Sequence, residues 1–123
     1  MKVEQKWWDG YKVVKRRSKS FTSTYMGTHT QYGSKFYSTN HITKRTRGYG
    51  PLAVFRQKAS ALNYMALHNF YADGYALFRC KYTASKETQY WRPGYSGKLH
   101  CANSIKDKRF ADEVRLVEEV VMM

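Results

Sequence analysis

Between residues 10 and 72 the chain has no Asp and no Glu, yet it carries eleven Lys or Arg and seven Tyr. Seven of its nine acids lie from Asp73 onward. A surface built from residues 10 to 72 cannot neutralise its own cations with carboxylates. Such a field attracts polyanions and concentrates them. The expected partner bears phosphate: a small nucleotide or a nucleic acid, ahead of any anionic membrane. Solubility alone is the plainer explanation, but it needs only a modest net charge, and the chain carries +13 on 123 residues.

That length suits one domain, residues 1–123, with one modest core. The aromatic share, 16%, separates the chain from disordered basic tails, which are poor in aromatic residues. Met1 to Trp8 contains no apolar run fit for a signal peptide, and no stretch elsewhere suits a membrane span. The expectation is a cytoplasmic protein that engages no membrane. Two cysteines, Cys80 and Cys101, suit a reducing compartment better than a disulfide framework.

Alternation predicts a strand over residues 10–17 and a second over 20–26, paired as a hairpin. Weaker strands are expected at 34–37 and 41–46, then a turn at 47–51. Leu52-Ala53-Val54-Phe55 is a continuous apolar run and reads as a central buried strand. The main helix is expected at 57–70, with Ala59, Leu62, Ala66 and Phe70 on its apolar stripe. Residues 75–82 read as a strand with Ala76, Phe78 and Cys80 on one face. Residues 83–98 read as a long loop, 105–111 as holding a helical turn, and 113–121 as the last strand. Together these predict an α+β domain: an antiparallel sheet of about five to seven strands with one main helix packed on it.

Four constellations bear on ligand binding. The expected helix opens on Arg56 and Lys58, with no Ser, Thr, Asp or Asn immediately before them. Free amides beside two cations make a phosphate site, although a poorly capped helix with solvated charges gives the same pattern. Tyr90-Trp91-Arg92-Pro93-Gly94-Tyr95 places flat rings and a guanidinium around a bend, where a base can stack for about 1–3 kcal/mol. A buried Trp91 at the core edge is the competing explanation.

The third is the run Lys44-Arg45-Thr46-Arg47, taken with Lys12, Lys15, Arg16 and Arg17. Charge runs are usually solvated faces, but the lack of nearby acids favours binding. Arg47 and Tyr49 sit in a loop placed to clamp a ligand. The fourth, Arg109 with Phe110, offers a guanidinium and a ring, with Asp107, Asp112 and Glu113 near enough to compete. Ligand contacts are therefore expected from Arg47, Tyr49, Arg56, Lys58, Tyr90, Trp91, Arg92, Arg109 and Phe110. An extended nucleic-acid face would instead use Lys15, Arg16, Arg17, Lys44, Arg45 and Arg47.

Neither a metal nor a cofactor is expected. His68, Cys80, His100 and Cys101 lack ligand spacing. No nucleophile motif, HExxH or P-loop is present, and the basic half offers no clustered carboxylates. The expected activity is therefore not enzymatic.

Gly10 to Val14, Gly50 to Phe55, Ala59 on the helix, Arg79-Cys80-Lys81-Tyr82 and Val114-Arg115-Leu116 follow one another in an order that resembles small phage-encoded α+β proteins. Among these the chain is similar to the first type of anti-Thoeris protein. That resemblance implies an oligomeric sponge for cyclic ADP-ribose-like or cyclic oligonucleotide immune signals, acting in the host cytoplasm without cleaving them. Arg and aromatic residues would hold phosphates and adenine. The alternative is a basic nucleic-acid-binding protein, such as an inhibitor of a bacterial nuclease or CRISPR complex. The uncapped helix start and the strongly basic first half favour that longer polyanion. Tyr and Trp in a bent loop favour the discrete pocket.

Overall fold

The computed structural model describes residues 5–16, 21–23, 36–45, 52–67, 74–86, 89–90, 100–101 and 107–121. Nine strands and one helix lie in them: β1 (Trp8–Arg16), β2 (Phe21–Ser23), β3 (Phe36–Tyr37), β4 (Ile42–Lys44), β5 (Leu52–Phe55), α1 (Lys58–Leu67), β6 (Tyr75–Ala84), β7 (Gln89–Tyr90), β8 (His100–Cys101) and β9 (Lys108–Glu119). No helix among these residues is long and apolar enough to cross a membrane.

The α+β reading holds in outline, as mostly antiparallel sheet with one helix. The sheet is not an open layer, however. β1 pairs with β6, β6 with β9, β9 with β5, and β5 returns to β1 through Tyr11 and Phe55. This ring of pairings closes a small barrel. β2 extends from β1 and β4 from β9. Register shifts at Arg79/Cys80 and Thr83/Ala84 break the β6–β9 ladder. Such irregularities bend strands and raise their twist, which helps a sheet of few strands close.

Two cores follow from the period-2 alternation of strand side chains. Val14, Val54, Ala76, Phe78, Cys80, Tyr82, Val114 and Leu116 pack together in the barrel interior, with Tyr37 and Leu52. Val13, Phe55 and Leu77 point the other way and meet Ala61, Tyr64 and Met65 of α1. Burying a side chain such as Met65 contributes about 1.5–3 kcal/mol. Val13 and Val14 are thus consecutive valines serving opposite cores.

The helix lies within the expected span, but it buries a different stripe. Ala61, Tyr64 and Met65 are buried, whereas Ala59, Ala66 and Leu67 are exposed. Apolar residues occur on several faces of this helix, so periodicity alone did not select the docking face. Phe55 does so, with its ring centroid 5.1 Å from that of Tyr64. The expected helical turn within 105–111 is also corrected. Residues 108–111 are strand, because Leu52 to Phe55 take Ala111 to Lys108 as their partners. Of the long loop expected at 83–98, Thr83 and Ala84 continue β6, and Gln89–Tyr90 pairs with His100–Cys101. Asn40 turns the chain between β3 and β4 at φ 65°, in the left-handed region that Asn tolerates.

Candidate anion-binding site

Gly10 sets the geometry of one end of the barrel. A Cβ there would lie 2.9 Å from the Phe55 carbonyl oxygen and 2.9 Å from the Tyr82 ring. The bare Cα lets both approach. Tyr82 is buried, and burial pushes its phenol above the ordinary value. Arg109 and Arg56 pull it the other way, while Cys80 adds to the rise. Two guanidiniums, from the end of β5 and the start of β9, therefore act on one phenol at this end.

Alternation puts Lys12 on the same face as Gly10 and Val14, so this cation points into the barrel. It is 7% exposed. Its Nζ donates a 2.5 Å hydrogen bond to the Ala53 carbonyl and lies 5.3 Å from the centroid of the Tyr37 ring. A buried charge without an opposite charge is costly, so the amine sheds its proton easily. Burial lowers its pKa to about 8, against a weaker opposing pull from Cys80. Lys108, the register partner of Phe55, is equally buried at 7% exposure. Burial lowers its pKa to about 7, and repulsion from Lys12 contributes. Burial likewise pushes the Cys80 thiol up to about 12, with Lys12 lowering and Asp9 raising it.

The helix start differs from its expected form. Asp107 brings a carboxylate to the first turn, where Ser60 Oγ donates to its Oδ2 at 2.7 Å. The Arg56 amide donates to the Asp107 carbonyl at 2.9 Å. The anion expected at this terminus is thus supplied in part by the chain itself. Arg56 and Lys58 remain exposed beside it, and neither forms an ion pair among the described residues.

Of the six residues expected of an extended nucleic-acid face, three are paired with carboxylates. Arg16 pairs with Glu119, Lys44 with Glu113 at 3.9 Å, and Arg45 with Asp112 at 3.2 Å. Lys15 instead lies over the Tyr75 ring at 6.0 Å. The carboxylate-free stretch therefore does meet carboxylates, supplied by β9. Arg17, Arg47, Tyr49, Trp91 and Arg92 lie outside the described residues, and Tyr90 is placed only by its backbone in β7.

Of the expected ligand residues, Arg56, Lys58 and Arg109 share the helix-start end of the barrel. Phe110 is 6% exposed, so its ring is packed inside the protein and offers no face to a base. Sequence reasoning missed Gly10, Tyr82 and Lys108 as parts of this end, and it named Lys12 only as one cation taken with the basic run. The available signal was the Gly10-Lys12-Val14 face of β1, but Val13 beside Val14 hid which face turns inward.

Among the described residues, no cluster of three or more His, Cys, Asp or Glu forms a metal site. What the arrangement offers chemically is positive charge, some of it buried, next to a phenol. No family model, no curated protein and no solved structure matches this chain.

Proposed function

We propose that this protein binds and sequesters a small phosphate-bearing nucleotide without cleaving it. One observation carries this. Arg56, whose amide donates to the Asp107 carbonyl, and Arg109, the register partner of Val54, stand at the helix-start end of the barrel and form no ion pair among the described residues, while Arg16, Lys44 and Arg45 are engaged by β9 carboxylates. Among the described residues, two guanidiniums without carboxylate partners thus stand at one end of the barrel, whereas three cations along the strands are paired. A discrete phosphate fits that distribution better than a long duplex, which needs an extended row of available cations. The cyclic ADP-ribose-like or cyclic oligonucleotide identity of the ligand, and a role against host immune signalling, rest on the sequence resemblance alone. So do an oligomeric state and a place in the host cytoplasm.

The test is a thermal-shift screen at low and high salt. It compares cyclic ADP-ribose isomers, cyclic di- and trinucleotides, and short single- and double-stranded nucleic acids. The expected result is stabilisation by one small nucleotide that survives added salt and is lost in Arg56→Ala and Arg109→Ala. Stabilisation by the long polyanions only, erased by salt, would instead establish a nucleic-acid-facing protein.

A further inference from the structure

Trp8 opens β1 at the same end of the barrel. Strand side chains alternate, so Trp8, Gly10, Lys12 and Val14 share one face. Val14 belongs to the interior core, which makes this the inward face. Trp8 is also the direct register partner of Tyr82, another interior residue, and residues directly opposite across two strands lie on one face. Trp8 is nevertheless 45% exposed, so its indole stands at the barrel's end, beyond the packed interior. The Lys6 ammonium lies 3.9 Å from the ring centroid. An exposed lysine, rather than a core side chain, therefore covers that face of the indole.

Register brings the two guanidiniums to this end. Tyr11 pairs with Phe55, and the Phe55 carbonyl oxygen would stand 2.9 Å from a Cβ on Gly10. Arg56 follows directly, so its backbone lies beside Gly10. Trp8 is two residues from Gly10, or about 7 Å along the strand. Arg109 is the register partner of Val54, an interior residue, and so shares the inward face. Both arginines are exposed.

We propose that Trp8 is the base-stacking residue of this site: an aromatic base lies on the Trp8 indole while its phosphate reaches Arg56 and Arg109. This rests on the anion-binding reading of the same end and deepens it by naming the ligand class, a phosphate joined to a flat ring rather than inorganic phosphate or a sugar phosphate. Every nucleobase has a π-face that stacks on an aromatic side chain. The ammonium over Trp8 marks a ring face that is electron-rich and outside the core. Lys6 is long and exposed, so an arriving base displaces it without disturbing the packing. The neighbouring Tyr82 ring cannot serve as the platform, because it is held against Gly10 and is 5% exposed. Two strand residues separate Trp8 from the residue beside Arg56, and the sugar between a base and its phosphate bridges a gap of that order.

The experiment is isothermal titration calorimetry of the full chain with adenosine monophosphate and with ribose 5-phosphate. Both carry the same phosphate, and only the first carries a base. The parent is expected to bind the nucleotide about 5- to 150-fold more tightly. Trp8→Ala is expected to lose that advantage, so that the two ligands bind alike, whereas Trp8→Phe, which keeps a ring, retains most of it. Trp8→Thr, ring-free but suited to a strand, replaces the alanine variant if circular dichroism shows the latter unfolded. Arg56→Ala is expected to weaken both ligands by the same factor. Equal affinity of the two ligands for the parent, or a nucleotide advantage that survives loss of the ring, overturns this inference. If Arg56→Ala still weakens both ligands, the proposed function stands without it. If neither ligand binds, this inference falls, and the proposed function falls with it when the thermal-shift screen also yields no small nucleotide.

Discussion

Glu119, at the end of β9, pairs with Arg16, at the end of β1, across 103 residues of chain. It is one of a row. Lys44 and Glu113 are direct register partners across β4 and β9, and Arg79 and Glu118 are partners across β6 and β9. Opposite charges facing each other across strands stabilise pairing by roughly 0.2–1 kcal/mol, and exposed pairs contribute least. The larger consequence concerns the surface field, because β9 lays carboxylates against cations that the linear sequence leaves unopposed.

Removing those carboxylates should expose the hidden cations. The triple variant Asp112→Asn, Glu113→Gln, Glu119→Gln is expected to bind short duplex DNA more tightly than the parent, with a steeper loss of affinity on adding salt. Every further phosphate that a released cation neutralises steepens the log–log salt slope by about 0.9. Fluorescence anisotropy at several salt concentrations reads both. Unchanged slope and affinity would show that these acids do not mask a polyanion-binding face.

The buried lysines set how stability varies with pH. Both fold with pKa values below the 10.5 of a free lysine, at about 8 for Lys12 and about 7 for Lys108. The cost of holding them charged is fully present below pH 7. From pH 7 to 9 the unfolded chain binds more protons than the folded one, so stability rises with pH. The gain is on the order of 2–4 kcal/mol over that range. Above pH 9 the Cys80 thiol, raised from 9.0 to about 12, works in the opposite direction. Urea midpoints at pH 6, 7, 8 and 9 are expected to climb, and to climb less in Lys12→Met. A midpoint that falls from pH 7 to 9 would contradict the burial of these amines.

Gly10→Ala tests the close approach at the same end. The new methyl would meet a backbone oxygen and a buried aromatic ring, each at 2.9 Å, so something must shift. Overpacking of this kind typically costs about 1–3 kcal/mol. Chemical denaturation measures the loss, and nucleotide binding should weaken with it if Tyr82 is displaced. A variant as stable as the parent would mean that Phe55 and Tyr82 do not close on Gly10 in this way.

The docking face of α1 separates Met65 from Leu67. Met65 is fully buried, whereas Leu67 is 76% exposed. Met65→Ala is expected to cost about 2–5 kcal/mol, and Leu67→Ala less than about 0.5 kcal/mol. Thermal denaturation of the two single variants decides it. Comparable losses would place the helix in a different rotation about its axis.

The sequence by itself determined the elements whose local pattern is unambiguous. Leu52 to Phe55 is an apolar run too short for a helix, and it is β5. Ala76, Phe78 and Cys80 alternate, and they share the interior face of β6. Residues 58–67 lack Gly and Pro, and they are helix. It also determined that the chain is rich in cations and that Arg56 and Arg109 are among them.

Tertiary structure decided the rest, because the rest depends on residues far apart in the chain. Lys12 reads as one cation in a basic strand. Only closure of β1 onto β5 and β6 turns it into a buried amine, since strand alternation assigns two faces without saying which one is enclosed. Residues 105–111 read as holding a helical turn until β5 supplies strand partners for Lys108 to Ala111. Arg16, Lys44 and Arg45 read as a free basic face until β9 brings Glu119, Glu113 and Asp112 against them. Charge summed along a sequence counts ions. The field outside a protein depends on which of them stand within a few ångströms of an opposite charge, and pairing between distant strands sets those distances.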